Sequence, residues 1–470
     1  MNAKLANLDE MSKELSMKDS DSCKIFALFA KFKLGTMLSR YGLEKECGIK
    51  VAVLILFACL FRVKGDNVHS GLLNRFGGIA DGCKNTYYRL MQRSSMDWRM
   101  LLLGVAKRYL KILKDEDKEE TERPSCLVLD DTLLEKTGKK IEGVSRVFDH
   151  VSGHSTLGFK ALVLMFTDSV SNVVVDFCLH REKGKKKDYG LSGKERKEQY
   201  SKERDAKSPD YARWQEMDKS KIEVAIDMLR RAWRRGFRPR HVLADTWFTC
   251  KELLAAVRQL GRGAVHYVGL AKMGNTKYTI NTKDYNAQTL ICLHERKAKA
   301  CRKYKCRYIT LNAMLGNVPV RLFLIKYGRR DKWNIMVTTD QKMKFVAAFE
   351  IYQLRWNIEV VNKECKGYLA LGGSQAQDFN SQIADCALCF ITYNILSPGK
   401  RLNDYETLGE LFRAQREELM LLTLWNRVLE CVRKILEQLS LVLSISLDEL
   451  LEALMHDADA VKQMGSFLCI

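Results

Sequence analysis

The chain has 470 residues, too many for a single hydrophobic core of ordinary size, so two to four subdomains are expected. Hydrophobic residues make up 46% of the sequence, which excludes disorder as its main state. Lysine and arginine number 78 against 57 aspartates and glutamates. The net charge of +21 favours a polyanionic partner, with DNA or RNA as the leading class. A basic soluble protein without such a partner is the alternative that charge alone leaves open.

The cysteines and the apolar runs indicate a cytoplasmic protein that does not span a membrane. The 15 cysteines have no regular spacing, which favours buried thiols in a reducing compartment. Residues 1–18 are polar and lack the apolar core of a signal peptide. The most apolar run, residues 51–61, is too short to cross a bilayer and fits a buried helix.

The N-terminal part of the chain has the pattern of a helical domain. Apolar residues recur at intervals of three and four between residues 22 and 114, and basic and aromatic residues alternate in 85–93. We predict a helical DNA-binding domain over residues 1–120. A helical dimerisation or packing module is the alternative.

A charged linker leads into a run of three predicted strands. Residues 126–132 form an apolar strand that ends in carboxylates, and residues 157–166 and 173–179 complete an antiparallel set. Residues 181–207 follow, with 11 lysines and arginines against 6 aspartates and glutamates. We predict either a mobile basic segment that becomes ordered on DNA or a solvated surface loop.

The middle of the chain alternates helix and strand. Residues 219–235 predict an amphipathic helix, residues 242–245 a strand that ends in a carboxylate, and residues 251–260 a further helix. The pattern then turns to strands, which predicts a β-rich insertion over residues 263–341.

Helical periodicity returns in residues 342–371 and in the apolar run 382–396, which we expect Pro398 to end. The run contains Cys386 and Cys389, a CxxC spacing that we interpret as core thiols one turn apart. Sequence rich in leucine and glutamate then predicts a helical C-terminal region over residues 401–470.

Zinc is a minor alternative in the predicted insertion. Its four side chains with suitable chemistry match no knuckle spacing. These residues are Cys292, His294, Cys301 and Cys306.

Three carboxylates are candidates for one metal site. Asp130 and Asp245 end apolar strands, where α/β proteins gather ligands, and Glu359 lies on a predicted helix at a similar interval along the chain. Carboxylates that are buried together repel one another unless a divalent cation lies between them. Mg²⁺ prefers such oxygen ligands, and a pair of ions can activate a nucleophile in phosphoryl transfer. Taken singly, each aspartate could equally be a turn or N-cap residue.

The helix that carries Glu359 also carries three groups able to bind phosphate or DNA. Tyr352, Arg355, Glu359 and Lys366 fall at offsets 0, 3, 7 and 14, which places them along one helical stripe. The alternative is a solvated helix face on which Arg355 and Glu359 form an (i, i+4) ion pair.

This spacing, Tyr-x2-Arg-x3-Glu-x6-Lys, resembles the signature of the DDE transposases of bacterial insertion sequences, in the branch named for those four residues. The resemblance covers roughly residues 120–400. It implies an α/β, RNase H-like core of mixed sheet and flanking helices over residues 121–262 and 342–400. The β-rich insertion would interrupt this core.

The resemblance also implies the roles of the site residues. Asp130, Asp245 and Glu359 would be catalytic and would bind Mg²⁺, for which Mn²⁺ substitutes. The Asp-Asp-Thr stretch from Asp130 matches the first motif of the family. Asp131 is the alternative ligand, because neighbouring residues on a strand face opposite sides.

Tyr352, Arg355 and Lys366 would contact DNA. A buried position for Trp356 is favoured over stacking on a base. Trp333 is assigned, by analogy with relatives that cut through a hairpin, to a flipped base.

The function that the resemblance implies is DNA transposition. Metal-dependent hydrolysis at the terminal inverted repeats would be followed by attack of the 3′-hydroxyl on target DNA. A homodimer on DNA, formed through the C-terminal helices, and a location at the bacterial nucleoid are expected. The alternatives are an RNase H-like nuclease that does not join strands and an inactive DNA-binding remnant.

Overall fold

The computed structural model describes residues 24–45, 47–73, 82–116, 123–149, 152–328 and 332–402, together with short stretches between 407 and 438. The polar N-terminal segment and most of the predicted C-terminal helical region lie outside the described residues.

Helices make up the described residues before the sheet. The third of them, Val51–Lys64, is apolar on all sides and almost entirely buried, as expected of a helix at the centre of a bundle. The sixth packs against the fourth strand and the last long helix, so the bundle and the sheet share one hydrophobic core. The helices are α1 (Lys24–Phe32), α2 (Leu34–Arg40), α3 (Val51–Lys64), α4 (Val68–Leu73), α5 (Lys84–Gln92) and α6 (Trp98–Glu116).

One mixed sheet runs through the rest of the described chain. Its first strands are β1 (Cys126–Glu135), β2 (Ser145–Phe148), β3 (Ser155–Thr167), β4 (Asn172–His180), β5 (His241–Ala244) and β6 (His266–Ala271). β3 pairs antiparallel with β1 on one side and with β2 and β4 on the other. β1 pairs with β5, and β5 with β6, in parallel. β5 ends at Ala244, opposite Leu129, whereas β1 continues to Glu135 alongside β3.

The sheet continues from β6 through antiparallel strands in the order β12, β11, β10, β7 and β8. These strands and β9, which pairs with β10, span the predicted β-rich region. Their bounds are β7 (Tyr278–Ile280), β8 (Lys283–Tyr285), β9 (Lys299–Cys301), β10 (Cys306–Leu315), β11 (Val318–Tyr327) and β12 (Trp333–Thr338).

Further helices flank the sheet, which confirms the prediction of an α/β fold with a mixed sheet. They are α7 (Gly193–Lys197), α8 (Pro209–Glu216), α9 (Lys221–Arg234), α10 (Lys251–Gln259), α11 (Ala287–His294), α12 (Phe345–Gln353), α13 (Trp356–Leu369) and α14 (Phe379–Leu402). α14 passes through Pro398, where we predicted its end.

The charged segment 181–207 is largely exposed, as the alternative of a surface loop predicts, but some of its side chains bind the rest of the protein. Ser192 and Glu195 form a capping box that starts α7. The guanidinium of Arg204 donates to both carboxylate oxygens of Glu142, at 2.8 and 2.6 Å, and both side chains are buried. Part of the segment's positive charge is therefore used in pairing with the protein itself.

The predicted helix over residues 342–371 is broken in two. α12 ends at Gln353 and α13 begins at Trp356. The amide of Arg355 donates to the carbonyl of Tyr352, three residues back, and Ile358 donates to Arg355 in the same way. These tighter turns interrupt the α-helical hydrogen bonding, so the predicted signature residues do not lie along a single continuous α-helix.

Candidate functional site

Two aspartates meet at the carboxyl edge of the parallel strands. Leu129 of β1 pairs with Ala244 of β5, so Asp130 and Asp245 are the next residue on each strand. Adjacent strands lie about 4.8 Å apart, which makes the two aspartates neighbours. The apolar residues before each aspartate are buried in the sheet and fix both positions.

The electrostatics of the two aspartates reflect this closeness. Burial raises the pKa of Asp130 to about 7; the charge of Arg355 opposes the shift and that of Asp245 adds to it. Burial also raises the pKa of Asp245, and the neighbouring charge of Asp131 adds to that rise. A positive charge placed between the two carboxylates would therefore stabilise their ionised forms.

Asp130 and Asp131 make different contacts. Oδ2 of Asp130 accepts a hydrogen bond from Arg355 at 3.1 Å, on the side of α13. Oδ2 of Asp131 accepts from the ammonium of Lys221 on α9 at 2.5 Å. This division follows from the alternation of side chains along a strand. It makes Asp130 the residue of the pair that faces Glu359.

Glu359 reaches Asp130 through an arginine. Arg355 is the N-cap residue of α13, and Glu359 lies in the first turn of that helix. The guanidinium of Arg355 donates to Oε1 of Glu359 at 2.5 Å while also donating to Asp130, and only 14% of its side chain is exposed. The alternative ion pair of the sequence analysis is thus present, but it includes Asp130 and is largely buried.

The three predicted carboxylates are therefore not arranged to coordinate one metal ion in this structure. Within the described part of the chain, no three His, Cys, Asp or Glu side chains are arranged to hold a metal ion. The donor chemistry nevertheless fits a hard divalent cation, since Asp130 and Asp245 are neighbouring carboxylates at the edge of an open cavity. Glu359 can join them only if Arg355 releases it.

The other two signature residues lie on either side of this arrangement. Tyr352 lies in the last turn of α12, and its ring centroid lies 5.8 Å from the guanidinium carbon of Arg355. Lys366 is two turns beyond Glu359 on α13, about 10 Å along the axis, and is exposed. Its acidic neighbours are Glu135 and Asp149. Tyr352 can thus position Arg355, whereas Lys366 lies away from the aspartates.

The tryptophans differ from expectation. Trp333 begins β12 and is only 9% exposed, beside Lys326, so the prediction that it stacks on a base is wrong. Trp356, predicted to be buried, is 61% exposed and lines a cavity of about 460 Å³ together with Tyr352 and Arg355.

A second cavity, of about 590 Å³, opens beside Asp130 and Asp245 and is lined by Trp247 and Lys221. The sequence analysis missed Trp247 and Lys221. The available signal was the position of Trp247, two residues after Asp245.

The positions of the cysteines singled out in the sequence fit a structural role. Cys386 and Cys389 are buried in α14, and burial raises the pKa of the Cys386 thiol. Cys301 and Cys306 face each other across β9 and β10, whereas Cys292 is exposed on α11. Nothing in the described region supports the zinc alternative. Among the residues that the structure describes, no helix has the length and apolar character that a membrane crossing requires.

Structural comparisons add little. The strand transfer complex of the Drosophila P element transposase is 8% identical over 87% of this chain and 71% of that one, with a TM-score of 0.23. The NurA nuclease from Sulfolobus solfataricus is 11% identical over 69% of this chain and 99% of that one, with a TM-score of 0.21. A search among curated proteins gave no match.

Family models are more informative. Residues 52–272 match the DDE superfamily endonuclease model, and residues 215–395 match the transposase DDE domain model. The first match contains Asp130 and Asp245, and the second contains Asp245 and Glu359. The two matches together support a DDE transposase.

Proposed function

We propose that this chain is a transposase of a bacterial insertion sequence that cuts DNA at the element ends and joins them to target DNA. The observation that carries the proposal is the meeting of Asp130 and Asp245 at one sheet edge, with Glu359 held to Asp130 through Arg355. The family matches and the net charge of +21 support it.

The catalytic core in this proposal is an RNase H-like unit made of β1, β3 to β6 and α13. We include β6, which lies in the insertion predicted over residues 263–341, because it pairs in parallel with β5. The strands β7 to β12 are its β-rich insertion, and α1 to α6 are its DNA-binding domain. Asp130, Asp245 and Glu359 would hold Mg²⁺ or Mn²⁺. When bound, the ion would supply Lewis-acid activation of the attacking oxygen and charge stabilisation of the leaving oxygen.

Each residue of the site has a task that follows from its contacts. Asp130 and Asp245 present neighbouring carboxylates whose raised pKa values favour a cationic partner. The guanidinium of Arg355 pairs with the carboxylates of Asp130 and Glu359. A DNA phosphate would compete with these carboxylates for the same N–H donors. Tyr352 holds the guanidinium in place. Lys366, exposed on α13, would add a phosphate contact further along the DNA.

The finer expectations rest on the signature and the charge. The Tyr-Arg-Glu-Lys branch and the origin in a bacterial insertion sequence follow from the spacing of four residues. A homodimer on DNA, in the cytoplasm at the nucleoid, belongs to the same proposal. It assigns dimerisation to the C-terminal region, most of which lies outside the described residues.

The test is a strand-transfer assay on duplexes carrying the inverted repeat that flanks the coding frame. The wild type should cut and join in Mg²⁺. Asp130→Asn, Asp245→Asn and Glu359→Gln should each abolish both steps while leaving duplex binding intact, because each removes one metal-binding charge with little change of shape.

Glu350→Gln is the matched control, since Glu350 lies on α12 and pairs with Lys303 at the surface. Full cleavage by any of the three site variants would refute the mechanism. If the wild type cleaves the DNA without joining it, the protein is an endonuclease, as the first family match allows. If the wild type binds the duplex but neither cleaves nor joins it, the protein is an inactive remnant.

A further inference from the structure

The cavity beside the two aspartates has an aromatic wall as well as charged ones. Its volume of about 590 Å³ falls within the range of roughly 300–1,000 Å³ that holds small ligands. Its charged lining residues are Asp130, Asp131, Lys160, Glu182, Lys221, Asp245 and Lys272. We call this space the tryptophan cavity, after Trp247, which also lines it.

Trp247 lies next to the aspartates. Its backbone amide donates to Oδ1 of Asp245 at 2.9 Å, which ties the main chain at Trp247 to that carboxylate. The indole meets the ring of Phe248 edge to face, with centroids 5.0 Å apart, and Phe248 is buried. Even so, 41% of Trp247 is exposed. An exposed aromatic fixed on a buried one is a platform for another flat group.

Positive charge flanks this platform. The ammonium of Lys221 lies 5.1 Å from the centroid of the Trp247 ring and also binds Asp131. Lys272 is exposed at the mouth of the cavity and forms no ion pair with any side chain of the described chain. A flat π face with ammonium groups near it suits a nucleotide, whose base can stack while its phosphate pairs with lysine.

The geometry favours an unpaired nucleotide over a base within a duplex. Both faces of a paired base are covered by its neighbours, so an indole at the wall of a cavity can stack only on a base that has left the helix. The carboxylates of Asp130 and Asp245 border the same space, which places such a base next to the phosphate to be cut.

We propose that the tryptophan cavity binds one unpaired nucleotide of the DNA strand next to the cut site, with its base stacked on Trp247 and its phosphate near Lys221 and Lys272. This inference rests on the proposed function in that it takes the bound polymer to be DNA. It reassigns base stacking from the buried Trp333 to Trp247, two residues after Asp245 in the sequence.

The test compares binding of a fully paired duplex with that of duplexes bearing a short unpaired oligothymidine tail at the 5′ or the 3′ end. Fluorescence anisotropy without divalent metal measures affinity and prevents cutting. The wild type should prefer one tailed duplex, and the preferred end identifies the strand that enters the cavity.

Trp247→Leu should lose roughly tenfold in affinity for the preferred tailed duplex and nothing for the paired one, since stacking on an aromatic is lost. Trp247→Phe, which keeps a π face, should retain most of the preference. Tyr200→Ala is the control, because Tyr200 is an aromatic of similar exposure, 40%, that does not line the cavity. A 2-aminopurine in the tail should be quenched by the wild type and by Trp247→Phe but not by Trp247→Leu.

Equal affinities of Trp247→Leu and the wild type for the tailed duplex would overturn the inference, as would an equal loss on both duplexes. The outcome is independent of catalysis. If Trp247→Leu loses the tail preference but the wild type never cuts DNA, the proposed function is rejected and the inference is kept. If Trp247→Leu keeps the preference and the wild type is an active transposase, the inference is rejected and the proposed function is kept.

Discussion

At the scale of single residues, Arg355 decides the state of the site. Its guanidinium binds Asp130 at 3.1 Å and Glu359 at 2.5 Å, so one cation already bridges two of the proposed metal ligands. A divalent ion and Arg355 therefore compete for the same carboxylates. DNA could settle this competition, because a phosphate offers the guanidinium an alternative partner.

This competition predicts that Arg355→Ala binds Mn²⁺ more tightly than the wild type when DNA is absent. A hydrogen bond to a charged group is worth about 1.5–3 kcal/mol, so the gain in affinity should be at least about tenfold. Arg355→Lys, which keeps the positive charge, should show a smaller gain, and Lys303→Ala, at a surface pair, should show none. Electron paramagnetic resonance of free Mn²⁺ measures the affinities, and equal values for Arg355→Ala and the wild type would rule the competition out.

Sequence reasoning predicted where Asp130 and Asp245 lie relative to the buried strands but not what surrounds them. Asp130 and Asp245 could be predicted because each ends a short apolar run, a pattern that needs no knowledge of the rest of the chain. The choice between Asp130 and Asp131 stayed open, since it depends on which side of the sheet α13 covers. Trp247 was missed because an aromatic after a strand has the same local pattern whether it is buried or exposed.

At the scale of elements, the parallel strands carry half-buried histidines at the end opposite to the carboxylates. His241 begins β5, and its Nδ1 atom is buried without a hydrogen-bond partner among the described residues. Burial, with the nearby His266, lowers the pKa of His241 to about 4. In the unfolded chain the imidazole of His241 has its ordinary pKa near 6.5, so it binds a proton more tightly there than in the folded chain.

The stability contributed by neutral His241 is therefore fully present above about pH 6.5 and is lost as the pH falls towards 4. We predict that His241→Gln is less sensitive to acid than the wild type. The difference should reach at most about 3 kcal/mol at pH 4, since one pKa unit corresponds to about 1.4 kcal/mol. Urea unfolding from pH 8 to pH 4 measures it. The exposed His154 provides the control variant His154→Gln, and parallel pH profiles for all three proteins would contradict the prediction.

The structures of two segments could not be predicted from sequence patterns. The helical spacing of apolar residues in 342–371 continues through the break between α12 and α13. Two residues of tighter turn change that spacing too little to be seen in the sequence. The segment 181–207 has the composition of a solvated loop, yet Arg204 pairs with Glu142, which is 62 residues away in the chain. Such partners become visible only once the fold brings them together.

At the scale of the whole molecule, a buried group of charges joins the helical N-terminal part to the sheet. Asp176 of β4 is fully buried, and it accepts hydrogen bonds from Arg99 of α6 and Arg231 of α9, both at 2.9 Å. Glu216 and Arg213 of α8 complete the group. Although burial opposes ionisation, the arginines hold the pKa of Asp176 near 2. The helical part is thus tied to the core by charge as well as by apolar packing.

Asp176→Asn should therefore lower the free energy of unfolding by about 3–5 kcal/mol, because it leaves three arginines of the group to share the single carboxylate of Glu216. Asp218→Asn is the matched control. Asp218 binds Arg181 in a bidentate pair but is 31% exposed, so its loss should cost about 0–1 kcal/mol. Urea unfolding followed by circular dichroism measures both. If the helices and the sheet unfold as one unit, Asp176→Asn should shift a single transition. A loss no larger than that of Asp218→Asn, or a transition that splits in the wild type, would show that the buried charges do not join the two parts.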